Sequence, residues 1–207
     1  MIPFGRSCCV LSVALVAASA VLLDCAPVHA EEIISTYTWT KPQLCRKTKR
    51  VIIHGDEYAS TRVCPGKAGY LVIVDDDDLR TTVTIGKKGK AKAVIAGGSE
   101  GRFSSVHDTV EWRSVKGAAE PFAVIIRWSF RDPNDESKEG KDLPFLIVAR
   151  LSPGPICQIA LVDTTAEQNA NALARQIADE KARDFKCNTD TAQLVGARGR
   201  ASKVFMP

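Results

Sequence analysis

Several stretches of this chain hold residue types that do chemistry, and each makes a definite demand on the fold around it. Gly97-Gly98-Ser99-Glu100-Gly101 matches the G-x-S-x-G nucleophile elbow. There a serine on a strand-to-helix turn is activated by a histidine that follows an acid later in the chain. Here the sequel is Arg102-Phe103-Ser104-Ser105, without helical pattern, and His107 is the one histidine downstream. Ser99 therefore reads as part of a glycine-rich loop. His54 and His107 would have to converge with carboxylates such as Asp56 or Asp108 to hold zinc, and His54 falls in a turn. Asp75 to Asp78 alternates faces of an extended chain and lacks the spaced ligands and glycine of a calcium loop. Asp132-Pro133-Asn134-Asp135-Glu136 starts better, but Ser137 stands where glycine is required and Leu143 where the bidentate glutamate belongs. The cysteines form no C-x-x-C, and the glycines near Lys87–Lys92 do not form a phosphate-binding G-x-x-x-x-G-K-[ST]. The expectation is no catalytic residue, no cofactor and no metal.

Two patterns suit binding instead. Arginine stands beside tryptophan in Glu111-Trp112-Arg113 and Arg127-Trp128, with Arg80 on a neighbouring strand candidate. Arg80, Trp112, Arg113, Arg127 and Trp128 can stack a sugar or hold a carboxylate. The same alternation also describes core tryptophans with charges on the opposite strand face, and that plainer reading is preferred. Arg46, Lys47, Lys49 and Arg50 offer a patch for an anionic ligand, with a solvated strand face as the simpler account.

Composition bounds these readings. Residues 1–30 run from Arg6 through an apolar stretch, Cys9 to Leu23, to a polar end with Val28-His29-Ala30 at a peptidase site. This is a secretory signal expected to be cleaved, since the apolar run is shorter than the ~20 residues a spanning helix needs. Of seven cysteines, Cys8, Cys9 and Cys25 leave with it. Cys45, Cys64, Cys157 and Cys187 then imply two disulfides in an oxidising, periplasmic or extracellular compartment. No second apolar run approaches spanning length. The formal charge is +4 and the pI near 8.7. That suits an anionic envelope partner and falls short of a nucleic-acid footprint.

The elements that must position these groups are mostly strands. β-branched and aromatic runs predict Glu32–Trp39, Lys49–Ile53, Tyr58–Val63, Tyr70–Val74, Leu79–Ile85, Ala93–Ala96 and Thr109–Arg113. Phe122–Phe130, Phe145–Leu151 and Ile156–Val162 are stronger still and form a meander, with the polar stretch 131–142 exposed between two of them. A regular hairpin turning over His54-Gly55-Asp56-Glu57 sets Cys45 opposite Cys64, near the ~5.5 Å Cα separation a disulfide prefers. Ala170, Leu173, Ala174, Ile177 and Ala178 recur at helical spacing, with Thr165 and Gln168 as a capping box. Cys157 precedes and Cys187 follows that helix, and joining them would clamp it to the sheet. The expected fold is a single α+β domain over residues 31–192: one mostly antiparallel sheet of about seven to nine strands, one C-terminal helix packed on it, and a flexible tail over 193–207.

Cys64-Pro65-Gly66 with Gly69-Tyr70, Asp78-Leu79-Arg80, Val110-Glu111-Trp112-Arg113, Arg127-Trp128 and Asn171-Ala172-Leu173-Ala174-Arg175 together resemble a family of uncharacterised exported proteins of Gram-negative bacteria. The resemblance runs from Tyr37 to Asp190, implies a periplasmic location, and carries no activity with it. The function expected is a non-enzymatic binding or envelope-associated module, against the alternative of a small hydrolase of envelope polymer. A lysozyme-inhibitor role fits less well, because a basic domain is repelled by a basic target.

Overall fold

The two halves of the chain alternate polar and apolar residues differently, and this difference sets the architecture. The structure is a computed structural model describing residues 31–54, 56–97, 102–137 and 140–205; the expected signal segment lies outside the described residues. After β1 (Ile33–Trp39) comes a meander of β2 (Arg46–Ile53), β3 (Asp56–Pro65), β4 (Tyr70–Asp77), β5 (Arg80–Lys87) and β6 (Lys92–Ala96). These five pair in sequence order as one antiparallel sheet. Its central strands are amphipathic with period two. Tyr70, Val72, Val74, Val83 and Ile85 are buried, whereas Leu71, Ile73 and Thr84 between them are half exposed.

The second sheet has the order β1-β7-β8-β9-β10-β11. It uses β7 (Ser104–Val115), β8 (Ala123–Arg131), β9 (Asp142–Arg150), β10 (Cys157–Asp163) and β11 (Gln193–Val195). β8 and β9 are apolar at nearly every position because both their faces are covered. Val124, Ile126, Trp128 and Phe130 pack with Val72, Val74 and Ile85 of the first sheet. On the other face Ile125, Leu146 and Val148 meet Ala174, Ile177 and Ala178 of α1 (Ala170–Lys181). The layers are sheet, sheet and helix. The expectation of a single sheet with one helix is corrected by this: among the described residues eleven strands form two sheets, with two short α-helices. A one-faced meander needs a partner layer, and the two-faced strands β8–β10 supply it.

Both disulfides join the pairs that the sequence suggests. Cys45 meets Cys64 across the β2–β3 hairpin with Cα atoms 4.2 Å apart, and Cys157 meets Cys187 at 5.7 Å. The chain after Cys64 then passes so close to Trp112 that a Cβ on Gly66 would lie 2.7 Å from the indole. Only glycine allows that approach.

The C-terminal segment differs from the flexible tail expected of it. β11 pairs parallel with β10, and α2 (Arg200–Phe205) docks beside it. The anchor is Asp163, fully buried at the end of β10. Its carboxylate accepts from the backbone N–H of Gly199 at 2.9 Å and of Ser202 at 2.7 Å. Phe205 then reaches the inter-sheet core, with ring centroids 5.4 Å from Phe130, 5.5 Å from Phe145 and 6.0 Å from Trp128. Nothing in the local spacing of 193–205 shows this, because the anchor sits on another element. The capping box is also corrected: Asn169 precedes α1 without a side-chain cap, and Thr165 Oγ1 donates instead to Asp163 at 2.5 Å.

Candidate functional site

β3, the β4–β5 hairpin, the start of β7 and the facing ends of β8 and β9 enclose a cleft of about 420 Å³. Its rim begins with an unusual turn. Asp77 pairs with Arg80, so the hairpin turns on Asp78 and Leu79 alone, with φ of 46° and 63°. Two-residue hairpins favour this backbone because it matches strand twist. Aspartate tolerates it; a leucine Cβ opposes it by about 1–2 kcal/mol. Leu79 is also 67% exposed, so burial offsets none of that cost. The turn is held by the surrounding backbone: Ser104 N–H donates to the Leu79 carbonyl at 2.9 Å and Asp78 N–H to that of Tyr58 at 3.0 Å. Strain retained at an exposed apolar side chain points to function rather than stability.

Phe103 and Tyr58, exposed by 45% and 43%, share the rim with Leu79. The Arg80 guanidinium lies 5.5 Å from the centre of the Phe103 ring and pairs with Asp78 at 2.5 Å. Deeper in the cleft Arg62 pairs with Asp76 at 3.0 Å, and Thr81 Oγ1 donates to the same carboxylate at 2.7 Å. Across from them Arg131 stands 3.6 Å from Asp142. A smaller hollow of about 290 Å³ shares Phe103 and Arg131 with the cleft and adds Arg80 and Arg102. The arrangement is an apolar, aromatic rim over a wall of arginines.

Of the five arginine and tryptophan residues singled out in the sequence, Arg80 alone comes near this cleft, in the adjoining hollow beside Phe103. Trp112 and Trp128 are buried between the sheets. Their indole N–H groups donate to Thr38 Oγ1 at 2.9 Å and to the Thr81 carbonyl at 3.2 Å. Arg113 grips both oxygens of Asp179 on α1, at 2.9 and 2.5 Å, and also meets Ser35. Beside it Arg175 of α1 donates to Glu111 at 2.6 Å, so this cluster fastens α1 to β7 and β1. Arg127 is half buried on β8 near His107, and burial lowers the pKa of its guanidinium. His107 is likewise held below its ordinary value, by burial first and then by Arg127. Its Nε2 lies 3.3 Å from the hydroxyl of buried Ser129.

Ser99 lies outside the described residues. His54 sits in the β2–β3 turn with φ 52°. Among the described residues no group of three His, Cys, Asp or Glu side chains is placed to hold a metal ion. Asp132, expected in an exposed stretch, is buried and pairs with Arg200 of α2 at 2.8 Å. The rim residues Tyr58, Leu79 and Phe103 were missed by sequence reasoning. The available signal was an apolar residue stranded in polar company: Leu79 after four aspartates, and Phe103 between Arg102 and Ser104.

A second cavity of about 600 Å³ opens at the opposite end of β4 and β5, lined by Tyr70, Lys87, Lys90, Leu151 and Pro153. There the Lys87 ammonium lies 4.7 Å from the centre of the Tyr70 ring and pairs with Glu120 at 2.5 Å. No protein family, curated protein or solved structure matches this chain. Among the described residues no helix is long and apolar enough to cross a membrane.

Proposed function

We propose that the protein is a non-enzymatic binding module of the cell envelope, exported by residues 1–30, whose cleft takes an acidic sugar chain. It is the same kind of protein as the exported Gram-negative family that its sequence resembles. The observation that carries this reading is Leu79, strained and exposed beside Phe103 and Arg80. Aromatic rings stack on the apolar C–H faces of sugars, and arginine grips a carboxylate or phosphate with a planar fork. Ser104 and Thr81 of the cleft are tied to one another: Ser104 Oγ accepts from Thr81 N–H at 2.9 Å, and the Thr81 hydroxyl lies between the Asp76 carboxylate at 2.7 Å and the Ser104 carbonyl at 2.9 Å.

The rival reading is hydrolysis, because Asp76 and Asp142 both line the cleft and paired carboxylates cleave glycosidic bonds. Their oxygens are engaged by Arg62, Thr81 and Arg131, which favours binding. Calorimetric titration with an oligo-uronate and with a neutral oligosaccharide of equal length separates these readings. Binding of the uronate alone, abolished by Arg80→Gln with Phe103→Ala and without turnover, is the expected result. Cleavage that disappears in Asp76→Asn would replace binding with hydrolysis.

A further inference from the structure

The five-stranded sheet has an outer face as well as the one that meets the core. Register places Arg46, Val63, Ile73, Thr84 and Val94 in one row across all five strands. At the ~4.8 Å spacing of paired strands the row spans about 19 Å. Val63 and Ile73 alternate with buried Cys64, Val72 and Val74, so they point outward, and both are half exposed. Leu71 lies on the same face two residues from Ile73, and Val94 is 61% exposed. Cations bracket this apolar strip. Arg46 and Lys49 are exposed on β2 at one edge; Lys88, Lys90 and Lys92 are exposed at the β5–β6 hairpin at the other. By the same alternation two acids lie on the face: Asp75, which accepts from Thr61 Oγ1 at 2.6 Å, and Asp77, exposed next to the β4–β5 turn. From Lys41 to Lys92 the chain has twelve Lys and Arg against six Asp and Glu.

We propose that this face docks on an anionic phospholipid surface. Val63, Leu71, Ile73 and Val94 sit at headgroup level, and Arg46, Lys49, Lys88 and Lys92 reach the lipid phosphates from either side. An apolar strip with long cationic side chains around it is the arrangement that holds a protein in a membrane interface. The charge complements acidic lipid and opposes a second copy of the chain, whose identical face would bring like charges together. The proposal is independent of the cleft, which lies at the other, Asp78-bearing end of β4 and β5.

Co-sedimentation of the mature chain with vesicles tests it, using pure phosphatidylcholine and an equimolar mixture with phosphatidylglycerol. Binding is expected to the mixed vesicles alone and to fall as salt rises. Each lysine near an anionic surface contributes about fivefold, so the Lys88→Gln/Lys92→Gln double should lose on the order of twentyfold in partitioning. Val94→Asp should lose about tenfold, and Arg80→Gln should bind vesicles like the parent even if it loses the cleft ligand. Equal binding to both vesicles, or unchanged binding by the double variant and Val94→Asp, overturns the proposal. So does a chain that ignores vesicles and forms a dimer dissociated by Val94→Asp, which would assign the face to a second copy.

Discussion

Asp163→Asn tests what holds the C-terminal segment, because it keeps the shape of the side chain and removes its charge and one acceptor. The wild-type carboxylate accepts four hydrogen bonds while fully buried. One oxygen takes Thr165 N–H at 2.8 Å and Thr165 Oγ1 at 2.5 Å; the other takes Gly199 N–H at 2.9 Å and Ser202 N–H at 2.7 Å. An asparagine amide, in either orientation, turns an NH2 group toward two of these donors. Each buried group left without its partner costs about 1–3 kcal/mol. Partial relaxation of α2 toward solvent lowers the total to about 3 kcal/mol, at the further loss of Phe205 packing. For a domain of this size that corresponds to a fall in Tm of about 6–12 °C.

The pH dependence supplies a sharper check. Burial alone would raise the Asp163 pKa, but the hydrogen bonds from Thr165 and Ser202 outweigh it and hold the group below the usual aspartate value. A carboxylate lowered in the folded state contributes its full stability above the unfolded pKa, about 3.9. That contribution disappears as pH falls through the lower folded value. Urea denaturation should therefore show a constant deficit for Asp163→Asn from neutral pH down to about pH 5, narrowing below about pH 4. A variant that melts within about 2 °C of the parent, or a deficit that does not narrow in acid, would refute the anchoring argument.

Four further outcomes follow from the packing and the electrostatics. Ile177→Ala, buried against Ile125 and Leu146, should cost about 2–5 kcal/mol by urea melts. Leu173→Ala should cost less, because the structure leaves Leu173 half exposed. Asp179→Ala strands the Arg113 guanidinium, whose side chain is 8% exposed, and should destabilise by about 2–4 kcal/mol, with Arg113→Met restoring part of the loss. In an NMR titration His107 should change protonation below the ordinary histidine value, and Arg127→Gln should move its midpoint upward; an unmoved midpoint would show that the two groups do not interact.

What was legible in the sequence was what local pattern determines. The Cys45–Cys64 pair followed from the centre of one hairpin, and the α1 stripe from Ala170, Ala174, Ile177 and Ala178. The division into two sheets was present in outline: Tyr70, Val72 and Val74 alternate with less buried residues, whereas 143–149 is apolar on both faces. Counting strands without asking how many faces each must bury hid it. The short helix α2 was not legible at all, since Phe205 and Ser202 are held by Phe130, Phe145 and Asp163 on distant strands. Of the binding residues singled out in the sequence, only Arg80, in the hollow adjoining the cleft, pointed toward it. The lining of the cleft comes from six strands, the β4–β5 turn and Phe103, and their convergence depends on the register of β3 with β4 and of β7 with β8.

The cleft is the central claim, and amide chemical-shift mapping with an oligo-uronate reads it residue by residue. The account predicts saturable shifts concentrated at Leu79, Phe103, Ser104 and Ser105, absent with a neutral oligosaccharide and lost in Arg80→Gln with Phe103→Ala. Shifts gathered instead around Tyr70, Lys87 and Lys90 would place the ligand in the lysine-lined cavity at the opposite end and contradict it.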